Sequence, residues 1–195
     1  MPKRDQVRRT SSWLLIAGGV LFALQGARDW FDSRWGQFTA QREFAEAVPA
    51  EVRLPIRNAG FRPQPGDTIA KLILPRLNAE LYVVEGTGAD DLRRGPGHMT
   101  ATAMPGEAGN CVIAGHRDTH FRVLRDIRRG DSIILETRQG RFVYRVKRTQ
   151  VVSPDDTASL RPSPVPILHL ITCYPFYYVG AAPKRMIVEA VLARS

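Results

Sequence analysis

Few of the 195 side chains can carry covalent chemistry: histidines 98, 116, 120 and 169 and cysteines 111 and 173. A thiol and an imidazole together make a thiol nucleophile, the thiolate attacking a carbonyl while the imidazole exchanges protons. Cys111 lies inside the apolar run Cys-Val-Ile-Ala, where a free cysteine packs as an inert small hydrophobe. Cys173 closes the run Ile167-Leu168-His169-Leu170-Ile171-Thr172 and precedes Tyr174-Pro175. It therefore stands at a strand end, where sites are commonly built, although on residue type alone a structural thiol suits it equally. His169 shares the strand face of Cys173, but four residues at about 3.3 Å each place it about 13 Å away, too far to act as its base. His98 follows Gly97 in a glycine-rich stretch and reads as a loop residue. His116 follows Ala114-Gly115 at another strand end, with His120 at the start of a short helix. A strand-end histidine and a strand-end cysteine on neighbouring strands can meet across a groove.

Other chemistries are excluded in turn. His116-x3-His120 with either cysteine is the one combination resembling a zinc set. Its spacing serves only if both histidines share a helix, whereas Gly115 and Asp118 mark a turn, and no carboxylate stands at the metalloprotease offset. Asp155-Asp156 and Glu107 are too thin a group for calcium. No metal or other cofactor is expected. The net charge is +9, and all but four of the 28 basic residues are arginine. The arginines are scattered, densest at Arg93-Arg94 and Arg128-Arg129, with no nucleic-acid-binding signature, so nucleic acid is not an expected partner. A composition 44% hydrophobic and 24% charged excludes wholesale disorder, and two cysteines exclude a disulfide-stapled miniprotein.

These candidates need elements to hold them. Residues 68–74, 79–85, 110–114, 131–137, 141–151, 167–173 and 184–192 read as short strands separated by turn residues. Only 119–127 has helical character, with Phe121, Leu124 and Ile127 on one face. The pattern implies an all-β barrel or sandwich. Upstream, residues 10–27 carry no charge and follow Lys3, Arg4, Arg8 and Arg9. That asymmetry predicts an uncleaved single-pass transmembrane signal-anchor at 13–27 with the basic tail, residues 1–12, inside; Leu24-Gln25-Gly26-Ala27 makes a poor cleavage site. Residues 28–66 read as a juxtamembrane helix bearing Trp30, Phe31, Trp35 and Phe38, then a linker punctuated by Pro49, Pro55, Pro63 and Pro65. The domain expected to carry the chemistry spans 67–195, outside the cytoplasm at the cytoplasmic (inner) membrane.

Three linked motifs carry a family resemblance. Asn110-Cys-Val-Ile-Ala-Gly-His116-Arg117-Asp118-Thr119-His120-Phe121 is similar to the histidine motif of the sortases. Leu170-Ile171-Thr172-Cys173 resembles their T-L-x-T-C motif, with His169 departing where the pattern has Thr, and Lys184-Arg185-Met186-Ile187-Val188 resembles their arginine-bearing last strand. The flanks resemble class D and E sortases, especially the proteobacterial marine group. The resemblance implies an eight-stranded sortase-type β-barrel with one or two short helices, and a cysteine transpeptidase. Cys173 would be the nucleophile on a C-terminal sorting signal of the L-P-x-T-G kind, and His116 the acid and base. Arg185 would hold the oxyanion, while Thr172 and His120 would position substrate. The partners implied are an exported protein bearing that signal and an amine acceptor of the cell envelope or of a protein. A hydrolytic cysteine endopeptidase and an inactive peptide-binding relative are the alternatives. Papain-like enzymes place cysteine before histidine in the chain, the reverse of the order here.

Overall fold

Along residues 184–192, Met186, Val188, Ala190 and Leu192 all join one apolar cluster, the two-residue period of a strand with one face on a core. Leu168 and Leu170 and, on another segment, Cys111 and Ile113 join the same cluster with the same period. The computed structural model describes residues 3–47, 63–156, 158–178 and 180–193. Its strands are β1 (Thr68–Leu74), β2 (Ala79–Glu85), β3 (Gly97–His98), β4 (Gly109–Gly115), β5 (Ser132–Thr137), β6 (Gly140–Val152), β7 (Pro166–Tyr174) and β8 (Lys184–Leu192). They close into a barrel in the order β1-β2-β3-β4-β7-β8-β6-β5, with β5 returning to β1. Pairing is antiparallel except for β2 with β3 and β4 with β7. The parallel β4–β7 pair sends the chain through β5 and β6 between its two strands, so residues far apart in sequence end side by side.

The all-β barrel matches the expected class, two local features were not read from the sequence, and the helix expected at 119–127 is of a tighter kind. β3 has only two residues, too short to show a period; His98, read as a loop residue, lies on it and is buried. There its Nδ1 meets Glu85 Oε2 at 2.8 Å and its Nε2 meets Ala103 O at 3.1 Å. The helix α2 (Ala89–Arg94) buries no residue and so carries no apolar stripe. Residues 120–126 form a 3₁₀ helix, for which the three-residue spacing of Phe121, Leu124 and Ile127 is the right period; all three are buried.

Lys3–Ala47 forms one helix, α1. Gly36, Ala40 and Phe44, four residues apart, make a buried stripe against the barrel. A side chain at Gly36 would lie 2.6 Å from Arg94 Cα, so only glycine permits this approach of α1 to α2. Phe44 packs on Tyr82 with ring centroids 5.8 Å apart. Gln37 donates to Tyr82 O and Arg94 O at 3.0 and 2.8 Å and accepts from Tyr82 N. The juxtamembrane part of the expected 28–66 segment is therefore docked on the barrel. Most of the expected linker, residues 48–62, lies outside the described residues. For the span expected at 13–27, no helix among the described residues is long and apolar enough to cross a membrane. The unbroken apolar heart runs only from Trp13 to Leu24 with Gly18 and Gly19 inside it, about 18 Å of helix against the roughly 30 Å of a hydrocarbon core.

Candidate active site

The register of three adjacent strands assembles the candidate residues. In the parallel β4–β7 ladder Gly115 is partnered with Thr172, and His116 and Cys173 each stand one residue beyond. In the antiparallel β7–β8 ladder Cys173 is partnered with Arg185. Neighbouring strands are about 4.8 Å apart, and residues opposite one another share a face. Cys173 and Arg185 accordingly project from the outer face of one end of the barrel, with His116 beside them. Thr172 and Met186, opposite one another, point inward. His116 is exposed, Cys173 and Arg185 are half-buried, and all three can be reached from solvent.

The supports are local and specific. Thr172 Oγ1 donates to Gly115 O at 2.7 Å within the interior, pinning β7 to β4 directly beneath the pair. Phe121 N donates to His116 O at 2.9 Å. A side chain at Gly115 would meet the Phe121 ring at 2.7 Å, so the glycine before His116 makes room for the ring that anchors the turn after it. Arg185 Nη1 donates to Lys184 O at 3.0 Å and Ala182 O at 3.3 Å, and no carboxylate pairs with it among the described residues. A guanidinium held by backbone carbonyls keeps its full charge for an incoming anion. Cys111, by contrast, is buried, and desolvation pushes its thiol far above the usual thiol range, where no reactive thiolate forms.

A model of the sortase domain matches residues 72–193. The chain belongs to the sortase family. It is 44% identical over 132 residues to Sortase D of Bacillus subtilis, covering 67% of this chain and 66% of that protein. It is 38% identical over 112 residues to Sortase SrtE1 of Streptomyces coelicolor, covering 52% of this chain and 32% of that protein. The chain thus matches less than two thirds of the length of either relative, and the two agree with the class D and E resemblance of its motifs. Among solved structures it is similar to a Clostridium perfringens Sortase D5 transpeptidase (29% identity, TM-score 0.70, 82% of this chain and 99% of that chain). It is also similar to the SrtA sortase of Actinomyces oris (31% identity, TM-score 0.61, 68% of this chain and 83% of that chain).

The remaining histidines of this sortase are buried. His120 lines a cavity of about 630 Å³ between α1, β2 and the 118–123 turn, with Gln37, Phe38 and Tyr82. Burial lowers its basicity below the ordinary 6.5, opposed by a hydrogen bond to the Arg93 backbone. His169 faces outward beside Glu189, itself held by Arg148 at 2.5 and 2.8 Å, and burial lowers it too. One residue near the site, given by the sequence only as part of the histidine motif, has a role of its own. Arg117 Nη2 donates to Tyr178 O at 2.7 Å and Gly180 O at 3.0 Å, tying down the loop between β7 and β8. Among the described residues no group of three or more His, Cys, Asp or Glu could hold a metal ion.

Proposed function

We propose that this sortase is a cysteine transpeptidase acting on exported proteins through a C-terminal sorting signal of the L-P-x-T-G kind. The observation that carries the reading is the register at one barrel end, where Cys173 is paired with Arg185 across β7 and β8 and His116 follows Gly115, the partner of Thr172, by one residue. The Cys173 thiolate attacks the threonine carbonyl carbon of the signal. Negative charge then gathers on the carbonyl oxygen, where the guanidinium of Arg185 stabilises it. Collapse breaks the Thr–Gly C–N bond, His116 gives the departing amine its proton, and a thioester remains on Cys173. In the second half an acceptor amine attacks the thioester, His116 takes up the amine proton, and the Cys173 thiolate leaves. Thr172 acts through its bond to Gly115, holding the two strand ends at a fixed separation.

The N-terminal helix is read as the membrane anchor, with residues 1–12 in the cytoplasm and the barrel outside at the cytoplasmic (inner) membrane. The charge-free stretch 10–27, about 27 Å of helix when the uncharged flanks of the apolar heart are included, the basic residues before it and the exposed Ile16, Val20, Leu21 and Leu24 support this. Incubating the protein with L-P-x-T-G-type peptides and a free amine tests the function. Two products are expected, the peptide cut after threonine and its amide with the added amine. Cleavage that never yields amide would reassign the protein as a hydrolase, and no cleavage would refute the reading.

A further inference from the structure

Between the turn after His116 and the loop after Cys173 lies a second, smaller cavity of about 190 Å³ lined by Arg117, Asp118, Arg122, Arg125, Phe176 and Tyr177. Its lining holds three guanidinium groups and one carboxylate. Arg125 is already engaged, with Asp126 and the Tyr177 hydroxyl. Arg122 is exposed and makes no side-chain hydrogen bond or ion pair among the described residues. Arg117 spends Nη2 on two backbone carbonyls, and its Nη1 is buried with no partner. A buried N–H without an acceptor is costly, and a guanidinium fork matches the two oxygens of a carboxylate or phosphate. Water occupies roughly 30 Å³ per molecule in the liquid, so the cavity has room for such a group with a few waters.

We infer that this cavity holds an oxyanion, carboxylate or phosphate, carried by the acceptor amine in the second half of the reaction. The inference rests on the transfer reading above. Arg117 directly follows His116 and Phe176 stands three residues after Cys173, so an amine whose anionic group sits here is held within reach of the thioester. Its nitrogen lone pair forms the new C–N bond, its proton goes to His116, and the C–S bond breaks to return the thiolate. The cavity adds no chemistry of its own; it raises the local concentration of one kind of amine and orients it.

Full-length protein acylated by an L-P-x-T-G-type peptide would be offered glycylglycine against glycylglycinamide, and O-phosphoethanolamine against ethanolamine, at matched free-amine concentrations. The charged member of at least one pair should show an acceptor KM lower by about tenfold, the scale of one well-placed charged contact. The pair that shows it identifies carboxylate or phosphate. In Arg122→Gln that ratio should fall towards one. A ratio near one in both pairs for the natural protein overturns the inference. So does a ratio kept in both Arg122→Gln and Arg117→Gln, or a charge preference that follows the donor peptide instead of the amine. If hydrolysis proceeds and none of the four amines is captured, the transfer reading itself fails. Calorimetric titration with inorganic phosphate then decides the cavity alone: binding to the natural protein and loss in Arg122→Gln supports an anion site, and no binding refutes it.

Discussion

Arg185 and Lys184 stand next to each other at the start of β8 and face opposite ways. Arg185 is the one whose register partner is Cys173, and its guanidinium rests on backbone carbonyls rather than on a carboxylate. Arg185→Lys keeps the charge and loses the rigid fork of donors. Turnover should fall by about 10²-fold, the effect of one oxyanion donor, with little change in melting temperature. A role in bracing the barrel would give the opposite pattern, a lowered melting temperature and near-normal single-turnover acylation. The two histidines near the site separate in the same way. His116 is exposed beside Cys173, whereas His120 is buried in the neighbouring cavity. His116→Ala should lose nearly all acylation and transfer, and His120→Ala should keep a measurable part of both. A larger loss at His120 in both half-reactions would reverse the assignment.

At the scale of elements, the site depends on how the ends of β4 and β7 are joined. Thr172→Val removes the hydroxyl and leaves the buried Gly115 carbonyl without that donor, at a cost of about 1–3 kcal/mol. Because His116 and Cys173 stand one residue beyond this bond, turnover should also drop, by about tenfold or more. Thr172→Ser, which keeps the oxygen, should restore most of both; full activity in Thr172→Val with a lowered melting temperature would leave the bond a purely structural role. Strand-end placement of Cys173 and His116 was legible in the sequence because apolar runs stop just before them. Their meeting was not, since the parallel pairing of β4 with β7 spans more than fifty intervening residues and leaves no local pattern. The choice of Arg185 over Lys184 came from the family motif, and the register gives it a physical reason. The role of Arg117 leaves no mark in the sequence because its partners are the backbone carbonyls of Tyr178 and Gly180, which no side-chain pattern announces. The docking of α1 through Gly36, Ala40 and Phe44 was hidden by the small size of two of the three residues.

For the molecule as a whole, two buried histidines contribute to its response to acid. Desolvation lowers His120 and His169 below the ordinary 6.5 in the folded protein. As pH falls through about 6.5, the unfolded chain takes up protons at these two positions while the folded barrel stays neutral there. Their contribution to stability is therefore present above about pH 6.5 and is lost below it. The melting temperature should fall between pH 7 and pH 5, and His169→Gln should flatten the fall; an unchanged slope in that variant would contradict the buried-neutral assignment. The proposed chemistry turns on a single thioester. Full-length protein mixed with an L-P-x-T-G-type peptide in the absence of amine, quenched and digested, would be mapped by mass spectrometry. An acyl adduct is expected on the fragment containing Cys173 and none on that containing Cys111, with no adduct at all in Cys173→Ala. An adduct on Cys111, or peptide cleavage that persists in Cys173→Ala, would contradict it.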